Sequence, residues 1–408
     1  MRILMLSWEY PPHSVGGMGR HVTELSAALA AQQAEVVVLT PHLRGGPNEE
    51  TTPEGVRIIR VNPPQMGDYG YLAFVQGTNT AMEHIARSLA DWEEPFDLIH
   101  AHDWLVADAA IALKHAWRRP LVATIHATER GRQQGYINGA HSQAINQHEW
   151  RLTYEAWRVI VCSRFMAEQI SRYFQTPADK IDVVPNGITM RASPFQSVGE
   201  QQAFRRRFVR DDEPLVFYVG RIVYEKGVHQ LIEAWPEVLA RQPQAHLVVA
   251  GTGDQLDAIR QQARSQGLIE SISFTGFISD DDRERLYRVA DVAAFPSLYE
   301  PFGIVALEAM AAGCPVVVAS TGGLAEVVRL HETGIAIYPN NPGSLAWGIL
   351  HTIEHPEWSQ IRARQASEDV ERHYNWAAIA MATYATYRRV VAEWRAAHWG
   401  AELVRTSS

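Results

Sequence analysis

The segment from Ser297 to Val318, SLYEPFGIVALEAMAAGCPVVV, compresses a polar loop, a helix, a glycine stop and a buried strand into one stretch. Glu300, Pro301, Phe302 and Gly303 open the helix, and Val305, Leu307, Ala309, Met310 and Ala312 are dense enough to bury most of it. Gly313 stops it, and Cys314 to Val318 is an apolar run of the length expected for a buried parallel strand. Open α/β sheets use such a unit to seat phosphate, because first-turn N–H groups lack intrahelical acceptors. Here these groups are those of Phe302, Gly303, Ile304 and Val305. Gly303 lets an anion approach closely, and Pro301 in the first turn removes a donor that would otherwise be spare.

Two carboxylates flank this seat. On one helix, Glu300 and Glu308 would lie about 12 Å apart, too far for the roughly 5 to 5.5 Å pair of a retaining glycosidase. The spacing suits the two ends of one long ligand.

A chain of 408 residues is long for one core, which predicts two domains. The boundary falls near residue 190. There the α/β alternation breaks into polar sequence from Ile188 to Glu213, a linker and lead-in helix, before a new first strand at Leu215–Val219. A net charge of −9 with no basic tract argues against nucleic acid as a partner. The densest basic run, Arg205-Arg206-Arg207 with Arg210, reads as a solvated helix face. Cys162 and Cys314 sit in apolar runs and suit a reducing cytoplasm. Without a signal-like N-terminus or an apolar run of about 18 residues, no transmembrane segment is expected.

Further strands end in chemistry-bearing loops. After Arg2–Trp8 come Gly16 and Gly17 and a helix from about Gly19 to Gln32. A helix from Thr78 to Asp91 precedes a strand ending in His100-Ala101-His102-Asp103. Alternation puts both imidazoles on one face, so metal ligation with His126 and polar contact with a ligand both remain open. Leu121–Ile125 runs into His126-Ala127-Thr128-Glu129-Arg130-Gly131-Arg132. Ile181–Val184 leads to Asn186-Gly187, where Asn186 either contacts a ligand or takes the left-handed turn that Asn-Gly favours. In the second half, Gly220-Arg221 is followed by Glu225-Lys226-Gly227. Arg221 offers a planar fork for phosphate and Lys226 a point charge. Lys114, Lys180 and Lys226 are the only lysines among 37 basic residues. Asp280, Asp281 and Asp282 suit a helix N-terminus better than a metal. The last helix spans about Trp376 to Trp399, with a frayed tail from Leu403.

The E-x7-E motif of EPFGIVALE, the Gly-Gly loop, H-x-T-E-x-G-R at His126–Arg132 and G-R-x4-K-G at Gly220–Gly227 together resemble the retaining family 4 glycosyltransferases of GT-B fold. Within them, the chain is most similar to glycogen-synthase-like α-glucan glucosyltransferases. The resemblance spans nearly the whole chain. It implies two Rossmann-like α/β domains facing across a cleft, with residues 1–190 as the acceptor domain, 191–375 as the nucleotide-sugar donor domain, and a C-terminal helix from about 376 crossing back to the first.

It also implies site roles. Arg221 and Lys226 would clamp the donor diphosphate with the helix terminus at Phe302, Gly303, Ile304 and Val305. Glu300 would hold hexose hydroxyls and Glu308 the ribose. Gly253 and Phe277 lie in the nucleobase and ribose loops, and Gly16, Gly17 and Asn186 would face the donor. His126 would sit beside the transferring hexose, with His102, Asp103, Glu129 and Arg132 on the acceptor side.

The reaction implied is retaining, metal-independent and cofactor-free transfer of glucose from ADP-glucose or UDP-glucose to an α-1,4-glucan or related oligosaccharide in the cytoplasm. Homo-oligomerisation is left open. Other donors or acceptors within the family (mannosyl or lipid-linked sugar), a hydrolase built on His100, His102 and His126, and a non-catalytic sugar-nucleotide sensor are the alternatives. A pyridoxal-phosphate phosphorylase would need a second lysine in the site.

Overall fold

The computed structural model describes residues 1–14, 16–67, 70–90, 94–397 and 399. The chain forms two compact units: Met1–Gly187 with the returning C-terminal segment from Trp376, and Ile188–Asn375.

The first unit is built on strands β1 (Arg2–Ser7), β2 (Glu35–Pro41), β3 (Glu49–Thr51), β4 (Arg57–Val61), β5 (Leu98–His102), β6 (Leu121–Ile125), β7 (Arg158–Val161) and β8 (Ile181–Val183). They form one sheet in the order β3-β4-β2-β1-β5-β6-β7-β8. Every pairing is parallel except that of β3 with β4. β1, β5 and β6 are buried along their whole length. Their near-continuous apolar sequences fit a sheet covered on both faces. Each fully buried Leu, Ile or Val contributes about 1.5–3 kcal/mol.

The second unit is a wholly parallel sheet of β9 (Leu215–Val219), β10 (His246–Ala250), β11 (Ile272–Gly276), β12 (Val292–Phe295), β13 (Val316–Ala319) and β14 (Ile335–Ile337). Their order is β11-β10-β9-β12-β13-β14. Both sheets grow outward in two directions from their first strand. The reversals fall between β1 and β5 and between β9 and β12. At such a reversal the connections of the two central strands leave over opposite faces of the sheet, which opens a crevice at the strands' C-terminal ends.

The helix Trp376–Ala396 belongs to the first unit. Ile379, Ala380, Tyr387, Val390 and Val391 lie on one stripe, packed in the core cluster that holds Ile3, Met5, Val22 and Leu25. Its polar ties are specific. The Tyr387 hydroxyl is hydrogen-bonded to His100 Nδ1 at 2.6 Å, and Glu393 accepts from Trp157 Nε1 and Arg158 at 2.8 Å each. Gly187 is pressed against its first residue, for a Cβ there would lie 2.5 Å from Trp376.

Several expected boundaries move. The helix expected from Thr78 starts at Gly70 and reaches Ala90, while Asp91 lies outside the described residues. The last helix ends at Ala396, and the tail from Leu403 lies outside the described residues. Arg205 is not solvated: it closes the helix Val198–Arg205 and donates to the Glu213 carbonyl at 2.7 Å and to Asp291 at 2.8 Å. Both cysteines are buried, and no helix is long and apolar enough to cross a membrane among the described residues.

Replacing Tyr387 by Phe leaves His100 Nδ1 buried without this hydrogen-bond partner. The expected cost is about 1–3 kcal/mol, read as a lower urea midpoint for unfolding of the first unit with little change in its slope.

Candidate functional site

In the second unit, the loops after β9 and β12 interlock at the strand-order reversal. The Glu225 carbonyl accepts from the backbone N–H groups of Leu298 and Tyr299 at 2.8 and 3.2 Å. Gly227, with φ +68°, passes so close to the β12 loop that a Cβ would lie 2.0 Å from the Pro296 carbonyl oxygen. This docking brings two distant motifs together: Lys226 Nζ lies 2.6 Å from Glu300 Oε2, both side chains largely buried. Ser297 Oγ donates to the same carboxylate oxygen at 3.2 Å. A buried pair of this kind is costly to break from one side, at about 3–5 kcal/mol. Arg221 stands half-exposed on the same β9 loop, its guanidinium 3.2 Å from Glu225.

The helix following Glu300 begins later than the sequence suggests. It spans Ile304–Ala311, with Gly303 at its N-cap in left-handed backbone (φ 107°). A Cβ at Gly303 would lie 2.5 Å from Leu324. Pro301 and Phe302 therefore precede the first turn, and Glu300 shares no helix with Glu308, so the 12 Å helical separation does not apply. The anion-binding logic survives at Gly303, Ile304 and Val305. Their N–H groups come before the first helical bonds, which Ala306 and Leu307 make to the Gly303 carbonyl at 3.0 and 3.3 Å.

Glu308 is buried rather than solvated, with Arg283 Nε at 3.1 Å and the Tyr287 hydroxyl at 3.4 Å from Oε2. Neither partner is legible from motif or spacing. Gly251 and Gly253 hold the β10 loop tight against the β9 loop: Cβ atoms there would come within 1.9 Å of the Gly220 carbonyl oxygen and 2.1 Å of that of Ile222. Phe277, after β11, is 83% exposed and packs no core. Ser279 caps the helix Asp280–Val289 by accepting from Asp282 N, so the three aspartates line its first turn.

In the first unit, register places His102 beside Ser7 on β1 and Thr124 on β6. Four histidines converge there. His100 is locked between Tyr387 and Thr124 Oγ1, the latter at 2.7 Å. His102 Nδ1 lies 3.0 Å from His126 Nε2, with the rings stacked at 18°. His21, on the helix Gly17–Ala31, meets His126 edge-on with centroids 4.8 Å apart, and its Nδ1 lies 2.7 Å from Asn186 Oδ1. The sequence singled out His102 and His126 but not His21. The only available signal was its position on the buried face of the helix that follows Gly16-Gly17.

Asn186 does not take the left-handed turn, since its φ is not positive, and neither is that of Gly187. It is buried and spent on His21 instead. Gly16 precedes that helix at its N-cap, its N–H donating to Glu9 at 3.0 Å, and Gly17 is the first helical residue.

Electrostatics follow burial. Loss of water, then neighbouring imidazoles, pushes His21, His100 and His102 well below the usual imidazole value, and burial takes His126 to about 3. The cluster is neutral at physiological pH. Burial raises Asp103 to about 6, against the opposing pull of Arg132 and of the His126 N–H, whose bond to Asp103 is 2.7 Å. Behind it, Glu149 accepts from Glu129 N at 2.8 Å. Glu129 itself accepts from Ser142 at 2.7 Å and faces Arg132 at 3.8 Å. Burial lifts Glu149 to about 8, and its Oε2 has no hydrogen-bond partner among the described residues.

Known proteins match this chain along its length. The family described as Glycosyltransferase Family 4 matches residues 15–191, and that described as Glycosyl transferases group 1 matches residues 200–369. An uncharacterized glycosyltransferase of Methanocaldococcus jannaschii is 38% identical over 95% of this chain and 98% of its own. A glycogen synthase of Mycobacterium tuberculosis is 38% identical over 95% and 94%. Among solved structures, a sucrose-phosphate synthase from Thermosynechococcus elongatus superposes with a TM-score of 0.81 at 27% identity, covering 96% of this chain and 99% of that one.

The raised carboxyl of Glu149 fixes a pH dependence. Its folded value exceeds the ordinary 4.5, so its contribution to stability is complete below about 4.5 and is lost as pH rises through about 8. Glu149→Gln keeps an acceptor for Glu129 N and removes the titration. In urea denaturation across that window, the variant is expected to lose less stability with rising pH than the parent.

Proposed function

The chain belongs to the family 4 glycosyltransferases of GT-B fold, and on that premise we propose that it moves glucose from a nucleoside diphosphate donor to an α-1,4-glucan with retention of configuration. The observation that carries this reading is the meeting of Lys226 with Glu300 at 2.6 Å. It joins the G-R-x4-K-G and E-x7-E motifs at the crevice of the second sheet.

Lys226 and Arg221 hold the donor diphosphate, with the helix N-terminus at Gly303 and Ile304 completing the cradle. As the glycosidic bond breaks, charge grows on the departing phosphate, and these preformed donors stabilise it more than the ground state. Donor binding gives Lys226 a second anionic partner, which frees Glu300 to accept from hexose hydroxyls. Glu308, fixed by Arg283 and Tyr287, takes the ribose hydroxyls, and the loops at Gly253 and Phe277 border the base.

In the first unit, neutral His126 and the Gly16-Gly17 loop serve the transferring sugar, with Asn186 acting through His21. His102, Asp103, Glu129 and Arg132 serve the acceptor. The leaving phosphate itself takes the acceptor proton, so no metal, cofactor or protein nucleophile is required. The glucan acceptor is supported by the identity to a glycogen synthase along the chain. A phosphorylated sugar is the second acceptor reading, favoured by the superposition on a sucrose-phosphate synthase.

Nucleotide release from ADP-glucose, UDP-glucose and GDP-mannose, each with and without a short α-1,4-glucan and in EDTA, tests the reading. Glucan-dependent release from one glucosyl donor is expected. Release that ignores the glucan, or stops with EDTA, overturns the acceptor or the metal-free part respectively. Lys226→Ala, checked by circular dichroism for an intact fold, is expected to lower kcat/KM by at least about tenfold, or about 1.4 kcal/mol. Unchanged kcat/KM would remove Lys226 from the phosphate clamp.

A further inference from the structure

Three carboxyl groups of the first unit share one cation. Asp103, Glu129 and Glu149 are all buried, and Arg132 is the cation that faces them. We propose that Glu149 is a positioning residue for the acceptor sugar: its carboxyl locks the segment His126–Arg132 in the shape the acceptor meets, a role that rests on the reading of Asp103, Glu129 and Arg132 as acceptor residues.

The segment, His-Ala-Thr-Glu-Arg-Gly-Arg, has almost no apolar side chains with which to pack itself. Polar ties from outside hold it. At its start the His126 N–H donates to Asp103 at 2.7 Å. Asp103 accepts from backbone at φ 60° and ψ 176°, which a residue other than glycine adopts only where its surroundings impose it. In the middle of the segment the Glu129 N–H donates to Glu149 at 2.8 Å, and the Ser142 hydroxyl donates to the Glu129 carboxylate at 2.7 Å. Ser142 and Glu149 lie two turns apart on one face of the helix Gly139–Glu155. That helix therefore grips Glu129 by side chain and by backbone, and Glu149 supplies the backbone half.

The other oxygen of Glu149, Oε2, has no hydrogen-bond partner among the described residues. A carboxylate buried in this way is costly, and a neutral acid much less so. One guanidinium does not offset three carboxylates out of water, so one of them keeps its proton. Burial raises Glu149 to about 8 and Asp103 to about 6, which leaves Asp103 charged and Glu149 neutral at neutral pH. His126 beside them is neutral as well. Charged groups on the other elements packed there are turned elsewhere. Asp108 on the helix Ala107–Trp117 meets His148 and Arg151, Arg130 lies over the ring of Tyr173, and Arg164, Glu168 and Arg172 on the helix Arg164–Phe174 are exposed. As pH rises through about 8, the charge formed on Glu149 is repelled by Asp103 and Glu129, and the segment loosens.

The test uses the full chain, with each variant checked for an intact fold by circular dichroism. Glu149→Ala leaves the Glu129 N–H buried without its acceptor and is expected to raise the glucan KM about tenfold, with the KM for sugar nucleotide unchanged. Glu149→Gln keeps an acceptor and cannot ionise. It is expected to restore the glucan KM at neutral pH and to abolish the rise that the parent shows as pH passes about 8. Hydrogen exchange reads the same tie without turnover: in Glu149→Ala the amides of residues 126–132 are expected to exchange at least about tenfold faster than in the parent, with β5 and β6 unchanged. Unchanged exchange in that segment overturns the proposal. So does faster exchange with an unaltered glucan KM, or an alkaline rise that Glu149→Gln retains. A parent chain that releases nucleotide without regard to glucan fails the acceptor reading instead, and the exchange rates then decide alone whether Glu149 locks the segment.

Discussion

Parallel pairing is the constraint on which everything else rests. Each strand of a parallel sheet must return over one face, so all strands end on the same edge, and the chain's irregular segments collect there. In both units the first strand is central, and the next strands are added to one side before the order reverses. At the reversal the connections of the two central strands leave over opposite faces, and polar side chains at those strand ends gain a place to converge. Buried Val, Ile and Leu hold the strands. The loops are then free to carry Lys226 and Glu300 in one unit and His102 and His126 in the other.

The two units use that edge differently. The second is charged: Lys226 faces Glu300 and Arg283 faces Glu308, so each carboxylate is already neutralised before any ligand arrives. The first is largely uncharged. Its imidazoles are stripped of water and held neutral, and Asp103 titrates near 6. An anionic nucleotide suits the former environment, and sugar hydroxyls, which trade neutral hydrogen bonds, suit the latter.

Strands such as Val316–Ala319 and Leu121–Ile125 could be read directly, because burial on both faces leaves an unbroken apolar run. The three-residue β3, Glu-Glu-Thr, has no such run and depends entirely on its pairing with β4. The helix start at Ile304 is not legible, because Glu-Pro-Phe-Gly is also good first-turn sequence and the left-handed backbone of Gly303, where a side chain would meet Leu324, is a tertiary outcome. Motif residues were legible by type and spacing. Their partners were not: His21 with Asn186 and Lys226 with Glu300 are joined across 165 and 74 positions, and periodicity carries no information about such pairs.

The return of Trp376–Ala396 to the first unit makes that unit discontinuous in sequence, with the second inserted whole between Gly187 and Trp376. During synthesis from the N-terminus, the inserted unit has all its strands once Asn375 has left the ribosome. The first unit, although begun earlier, still lacks Tyr387 for His100 and Val390 for its core until the last helix emerges. The part made first is thus the part finished last, and its apolar face beneath the missing helix stays uncovered for the time taken to translate the entire insertion.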